Sequence, residues 1–295
     1  MYGGQYRFVE AQVVRSRRLG PTLTRITFGG EQLARLAAGG RDQSFSLFLP
    51  HPGQSAPVLP VAAGEDWFAR WRALDPAVRA VMRAYTIRAH RPEPAEVDVD
   101  FALHGTAPGD PPEAAGPASR WAAAARPGDR VVLLGPALAD NRSVGFRPPP
   151  DAERVLIVAD ETALPAVGGI LEWLPATARV TAFIEVPHPQ DVQHLACAGE
   201  AEISWLVRDT TEGSPVGGSL VAGSLLSAVR AARLPEGAPY AWIAGEAGMV
   251  RAVRRHLVRE RGIDRSSVFF SGYWRRGASE EQLRAERPAG EDSTG

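Results

Sequence analysis

The chain has 295 residues, about twice the length of a typical single domain, so two domains are expected; a 44% hydrophobic content with 7 Trp, 5 Tyr and 10 Phe supplies core material and excludes a wholly disordered chain. The 33 basic and 34 acidic residues leave a net charge of −1, which gives no global attraction to nucleic acid or an anionic membrane. Every basic residue is Arg, which excludes a Lys-based phosphate loop or Schiff base, and the single Cys, Cys197, excludes a disulfide framework, a multi-Cys zinc site and a Cys-ligated iron–sulfur cluster.

In chain order, residues 1–10 contain no apolar run, and the longest apolar stretches, such as 155–159, are strand-sized. The expectation is no targeting signal, no integral membrane segment and cytoplasmic residence. The first half then reads as β. Residues 23–28, 45–49 and 84–88 are short and rich in β-formers. Val97, Val99, Phe101 and Leu103 alternate with Asp98, Asp100 and Ala102, the period of a strand with one apolar face. Residues 130–134 form another strand, entered through the turn Pro127-Gly128-Asp129. Short strands punctuated by Gly and Pro predict a small antiparallel barrel or sandwich. A helix over 66–82 and a Pro/Gly-rich loop over 108–117 interrupt it.

The second half alternates. Strands are expected at 155–159, 180–184, 203–207 and 241–244, helices at 166–174, 220–232 and 249–261, and a final strand at 268–270. Strand–helix alternation implies a parallel sheet with helices on both faces. Pro148-Pro149-Pro150 is the natural linker, so the expected domains are 1–147 and 148–284, with 285–295 a disordered tail.

Four segments carry chemistry. In Arg83-Ala84-Tyr85-Thr86 the alternating strand period puts Arg83 and Tyr85 on one face, where a ring, a guanidinium and a hydroxyl suit a planar phosphorylated ligand. In Gly116-Pro117-Ala118-Ser119, Ser119 is a good helix N-cap before Arg120, Trp121 and four alanines, and the helix start offers an anion site that needs no Lys. Asp160-Glu161-Thr162-Ala163 follows a strand at the carboxyl edge of the parallel sheet, and Pro165 suits a first helical turn. Tyr273-Trp274-Arg275-Arg276 pairs aromatics with cations, a combination suited to a large anionic aromatic ligand. Arg208, after the strand at 203–207, meets either a nucleotide 2′-phosphate or solvent. The Arg-rich face of the helix at 249–261 reads as a solvent face.

Arg83–Arg88 (Arg-Ala-Tyr-Thr-Ile-Arg), 100–105 (Asp-Phe-Ala-Leu-His-Gly), 116–122 (Gly-Pro-Ala-Ser-Arg-Trp-Ala), 159–166 (Ala-Asp-Glu-Thr-Ala-Leu-Pro-Ala), 242–246 (Trp-Ile-Ala-Gly-Glu) and 272–277 (Gly-Tyr-Trp-Arg-Arg-Gly) run in one order over most of the chain. In these motifs the sequence resembles the ferredoxin-reductase-like flavoproteins and, among them, the siderophore-interacting proteins or ferric-siderophore reductases. The resemblance implies an N-terminal antiparallel β-barrel flavin domain and a parallel-sheet α/β nicotinamide-binding domain. It implies FAD on the barrel, with Tyr85 on the isoalloxazine, Thr86 near its N5 atom, Ile87 beside them and Arg83 on the pyrophosphate. His104, Gly116, Ala118 and Ser119 would line the ribityl and diphosphate, with Trp121 near the adenine end.

The same resemblance places NADPH or NADH against Asp160, Thr162, Ala163, Gly245 and Glu246. No Gly-x-Gly-x-x-Gly fingerprint occurs, and Ala244 and Glu246 replace the Cys and Pro of the wider superfamily's Cys-Gly-Pro element. Trp274, Arg275 and Arg276 would meet an anionic ferric siderophore, while Ser46 stands where relatives often carry a basic residue. The implied activity is NAD(P)H-dependent, FAD-mediated reduction of Fe(III)-siderophore, with a ferredoxin as a possible donor. The other readings are a general flavin diaphorase or electron-carrier reductase, and a siderophore-binding protein with little turnover. No nucleophile or general-base dyad is expected: the chain contains no Gly-x-Ser-x-Gly and no His-Glu-x-x-His.

Overall fold

The computed structural model describes residues 4–106, 109–111, 114–150, 152–208, 219–221, 224–234 and 239–278. The tail expected at 285–295 and part of the loop at 108–117 lie outside them. The described residues divide into two compact units, one of the segment up to Leu19 with Leu23–Val144, the other of Gly20–Thr22 with the chain from Gly145 onward. Within the second unit, Thr22 joins through its amide (3.0 Å) and hydroxyl (2.7 Å), both donated to the buried Asp191.

The first unit contains strands β1 (Tyr6–Arg18), β2 (Leu23–Gly29), β3 (Ser44–Leu49), β4 (Val81–Thr86), β5 (Ala89–Arg91), β6 (Glu96–Ala102) and β7 (Arg130–Pro136), with helices α1 (Trp67–Ala73) and α2 (Pro117–Ala124). The strands form one antiparallel sheet in the order β4-β3-β7-β1-β2-β6-β5. Although β4 and β6 are far apart in this order, the Tyr85 and Phe101 ring centroids lie 4.4 Å apart. The sheet therefore curls back on itself as a half-barrel. Alternation fills its inside with Val9, Ala11, Val13, Ile26, Phe28, Leu47, Val97, Val99 and Leu133. On the outside, Phe48, Met82, Val132 and Leu134 are covered by Trp67 and Trp71, one helical turn apart on α1.

Three sequence expectations are corrected here. The central strand β1 was not anticipated: its inward residues Val9, Ala11 and Val13 are small or β-branched, and charged outward neighbours dilute the apolar signal. The helix expected at 66–82 stops at Ala73, because Pro76 disfavours helical geometry at Asp75 and residues 81–82 enter β4. Ser119 is not an N-cap. Gly116 occupies that position with Pro117 at the first turn, so Ser119 lies inside α2.

The second unit contains β8 (Arg154–Asp160), α3 (Leu164–Trp173), β9 (Arg179–Val186), β10 (Glu200–Val207), β11 (Ser219–Val221), α4 (Leu225–Ala231), β12 (Tyr240–Glu246), α5 (Ala247–Arg255) and β13 (Val268–Trp274). A π-helical turn, His256–Glu260, extends α5. All six strands are parallel, in the order β11-β10-β9-β8-β12-β13. The helix expected at 220–232 is shorter, because Ser219–Val221 extends the sheet and Ser224 caps α4 by accepting from the Ser227 amide at 3.3 Å. Chain order runs from β8 through β9 and β10 to β11, then returns to β12 on the other side of β8. The carboxyl ends of β8 and β12 therefore flank a topological switch point, where ligands enter open α/β sheets.

The outward acids of β6 are not solvated. Asp98 and Asp100 are buried beneath arginines. Arg25 forks onto Asp100 at 2.6 and 2.8 Å, and Arg91 onto Asp98 with two bonds of 2.8 Å, while Thr27 donates to Asp98 at 2.6 Å. Burial works against the Asp98 charge, but Arg91 and Thr27 outweigh it and hold its pKa below the ordinary 3.8. A depressed carboxylate contributes stability above its unfolded pKa and loses it as pH falls through the folded value. The Asp98 contribution to stability, read from urea unfolding, is thus expected to be complete at neutral pH and to fade below about pH 4. Arg91→Ala should lower the unfolding free energy at neutral pH by about 2 kcal/mol and flatten the acid limb.

Candidate functional site

The first unit gathers its predicted residues around the end of β6. On β4, Arg83 and Tyr85 lie opposite Leu47 and Phe45 of β3, so they share the inner face. Tyr85 is half-buried, with its ring tilted 46° against Phe101. The guanidinium of Arg83 reaches the Met82 carbonyl at 2.8 Å. Thr86 ends the strand, buried, and its hydroxyl has no hydrogen-bond partner among the described residues. Ile87 is buried in the barrel core and turns the chain by donating its amide to Gln43 at 2.9 Å.

Beyond β6 the chain reaches His104 and Gly105. Gly105 has φ +66°, and a Cβ there would lie 2.3 Å from the Ala114 carbonyl carbon, so only glycine lets the returning loop close. That closure sets α2 beside β6. The His104 amide donates to Ser119 Oγ at 3.3 Å, and Gly116 is exposed with open space where a side chain would project. Pro117 has no N–H to leave unsatisfied, and the first-turn amides of Ala118 and Ser119 have no acceptor within the helix. Trp121 stacks on Phe28 (centroids 6.2 Å, 21°) and leans on Phe101, plugging the barrel end. This group fits a flavin dinucleotide: a ring face, an unsatisfied hydroxyl, a guanidinium and an open helix start.

The second unit gathers its residues at the switch point. Asp160, 2% exposed at the end of β8, accepts through Oδ1 from the Thr162 amide and hydroxyl. Through Oδ2 it accepts from the Glu246 amide at 2.7 Å and the Trp274 indole at 2.9 Å. One carboxylate thereby ties together the ends of β8, β12 and β13. Gly245 makes this possible: its φ is +138°, and a Cβ would lie 2.5 Å from the Asp160 carboxyl carbon. Glu246 caps α5, accepting from Met249 at 2.9 Å, and also receives the Arg276 amide at 3.4 Å. Burial opposes the Glu246 charge, but these amides outweigh it and lower its pKa. Arg275 and Arg276 lie in a tight turn closed by the Ala278 amide on the Arg275 carbonyl at 3.1 Å, with Gly277 at φ +75°.

The comparisons with known proteins agree in both halves. A family model for the siderophore-interacting FAD-binding domain matches residues 12–140, and one for siderophore-interacting protein matches 152–277. Ferric vibriobactin reductase ViuB of Vibrio cholerae is 30% identical over 276 residues, covering 93% of this chain and 92% of that protein. The chain belongs to the siderophore-interacting protein family. The crystal structure of a siderophore utilization protein from T. fusca superimposes with a TM-score of 0.73 at 34% identity, covering 93% and 95% of the two chains. The NADPH-dependent ferric-chelate reductase of Escherichia coli is 27% identical over 91% of this chain and 93% of that protein.

In this siderophore-interacting protein, three of the residues expected at the nicotinamide also make contacts within the second unit. Asp160 accepts four internal hydrogen bonds and so positions the strand ends around it. Ala163 is fully buried and acts in packing. The Glu246 carboxylate is committed to the α5 cap.

Sequence reasoning also missed an ion cluster. The fully buried Glu161 pairs with Arg208, which also reaches Glu185 at 2.5 Å, joining the carboxyl ends of β8, β9 and β10. Burial and then the adjacent Asp160 charge push the Glu161 carboxyl up, and Arg208 restrains the rise. Arg208 is therefore held by two carboxylates at the sheet edge. The available signal was Glu161 beside Asp160 at a strand end, an acidic pair that needed a cation.

Proposed function

We propose that this chain is an FAD-containing, NAD(P)H-dependent ferric-siderophore reductase in which Tyr85, Thr86 and Arg83 form the flavin-binding edge. The observation that carries the reading is the convergence of Tyr85, His104 and the open start of α2 on the end of β6. Tyr85 offers its ring to the flavin, Thr86 its hydroxyl to the N5 edge, and Ile87 closes the floor. Arg83, with the Ala118 and Ser119 amides, meets the diphosphate, and Gly116 admits it without a side-chain clash. His104 borders the ribityl chain, and the outer edge of Trp121 lies toward the adenine.

The chemistry FAD supplies when bound is acceptance of an electron pair as hydride and release of single electrons. Around the switch point, Thr162 and the backbone of Gly245 border the nicotinamide, held in place by Asp160 and the Glu246 cap. Trp274, Arg275 and Arg276 form the anion-attracting flank for the ferric chelate. No bond in the siderophore needs to break: its hard oxygen donors hold Fe(III) well and Fe(II) poorly, so reduction releases the metal. Among the described residues, no helix is long and apolar enough to cross a membrane. The use of NAD(P)H, a cytoplasmic reductant, supports cytoplasmic residence.

Anaerobic mixing of the flavin-loaded protein with ferric siderophores, NADPH or NADH and a ferrous trap tests the assignment. Flavin bleaching by the nicotinamide followed by trapped Fe(II) is expected. Bleaching with reoxidation only by quinones or dyes would indicate a general diaphorase. Chelate binding without trapped Fe(II) would indicate a binding protein. A separate arm with reduced ferredoxin tests that donor.

A further inference from the structure

The Arg-rich face of α5 is largely solvent-exposed, as the sequence suggested, and it borders a surface concavity. Arg251, Arg254, Arg255 and Arg259, with Arg265 from the turn before β13 and Phe270 on β13, line a cavity of about 380 Å³. That volume lies within the usual range for small-molecule sites. Arg251, Arg255 and Arg259 succeed one another at intervals of four, the spacing at which like charges on a helix repel. Arg254 sits 4.2 Å over the Phe270 ring, and its Nε is buried with no hydrogen-bond partner among the described residues. Among the described residues, no carboxylate lines the cavity.

Such a cluster opposes folding unless something neutralises it. Position separates it from the switch point: α5 leaves the carboxyl end of β12 and runs back along the sheet, and Arg265 precedes the start of β13. Guanidinium forks match phosphate oxygens two at a time, so an anion with several phosphate groups is the ligand that satisfies the most donors. The concavity favours a compact soluble ion over a flat lipid surface.

We propose that the α5–β13 cavity binds a soluble polyphosphate through Arg251, Arg254, Arg255, Arg259 and Arg265, at a site distinct from the reductase centre. Inorganic tripolyphosphate titrated calorimetrically into the flavin-loaded protein tests this. One saturable site is expected, weakening as salt rises from about 50 to about 200 mM. Arg254→Gln should weaken it by about tenfold, and the Arg251→Gln/Arg255→Gln pair by more, with flavin absorbance and far-UV circular dichroism unchanged. Phosphatidylglycerol vesicles form the second arm. The proposal is overturned by the absence of saturable binding, by binding that these variants leave intact, or by vesicle binding that tripolyphosphate does not displace.

Discussion

Replacing Tyr85 by alanine is expected to yield a folded protein that purifies with little flavin. The ring is half-buried and tilted against Phe101, so part of it packs in the barrel while part stays accessible to solvent. Stacking of an aromatic side chain on a planar heterocycle contributes about 1–3 kcal/mol, roughly a tenfold to hundredfold change in affinity. Tyr85→Phe retains the ring and should retain the yellow colour, which separates loss of stacking from loss of the hydroxyl. Flavin affinity is read by fluorescence titration of the apoprotein, and folding by circular dichroism. Tyr85→Ala binding FAD as tightly as the parent would remove Tyr85 from the site. Arg83→Gln, by contrast, should weaken FAD while leaving the visible spectrum of the bound fraction unchanged, since the proposed site puts it at the phosphates and not at the ring.

The second large effect is expected at Asp160. Its carboxylate satisfies donors from Thr162, Glu246 and Trp274, at 2% exposure. Alanine leaves those donors without an acceptor, and each unsatisfied buried donor costs about 1–3 kcal/mol. Relaxation and water entry recover part of that sum, so Asp160→Ala should lose about 3–5 kcal/mol in urea unfolding. Asparagine is no rescue: its NH₂ would face either the Thr162 donors or the Glu246 amide and Trp274 indole.

Two further readouts distinguish this hub from an ordinary buried acid. Trp274 should lose its fixed environment, seen in its fluorescence. The Glu161 carboxyl should fall back toward ordinary values, because the Asp160 charge that helps raise it is gone. Gly245→Ala should resemble Asp160→Ala, since its Cβ would occupy the space the carboxylate needs. Full stability in both variants would mean that the three strand ends are held by something else.

The motifs were legible because each is local. Arg83 and Tyr85 share a face by strand alternation, the Gly116-Pro117 pair opens a helix, and Asp160 ends a strand; all of this follows from spacing and residue type. The elements missed or misjudged depended on distant partners. β1 is a strand because β7 and β2 flank it, although its own alternation is weak. Ser119 reads as a cap in isolation, yet its hydroxyl meets the His104 amide because Gly105 lets the loop return. Ser219–Val221 has helical neighbours in sequence but is a strand because β10 presents an open edge beside it.

The amino-acid sequence alone determined the order of β-rich and alternating halves, the all-arginine cationic chemistry and the six ordered motifs. These rest on periodicity and composition, which each segment carries by itself. Only the tertiary structure decided what the buried charges do. That Asp160 gathers four donors from three residues, that Asp98 meets Arg91, and that the α5 arginines border a concavity with Arg265 and Phe270 all depend on which distant groups folding brings together. A charge cannot be left buried without such partners, so the fold assigns its role after the sequence has supplied it.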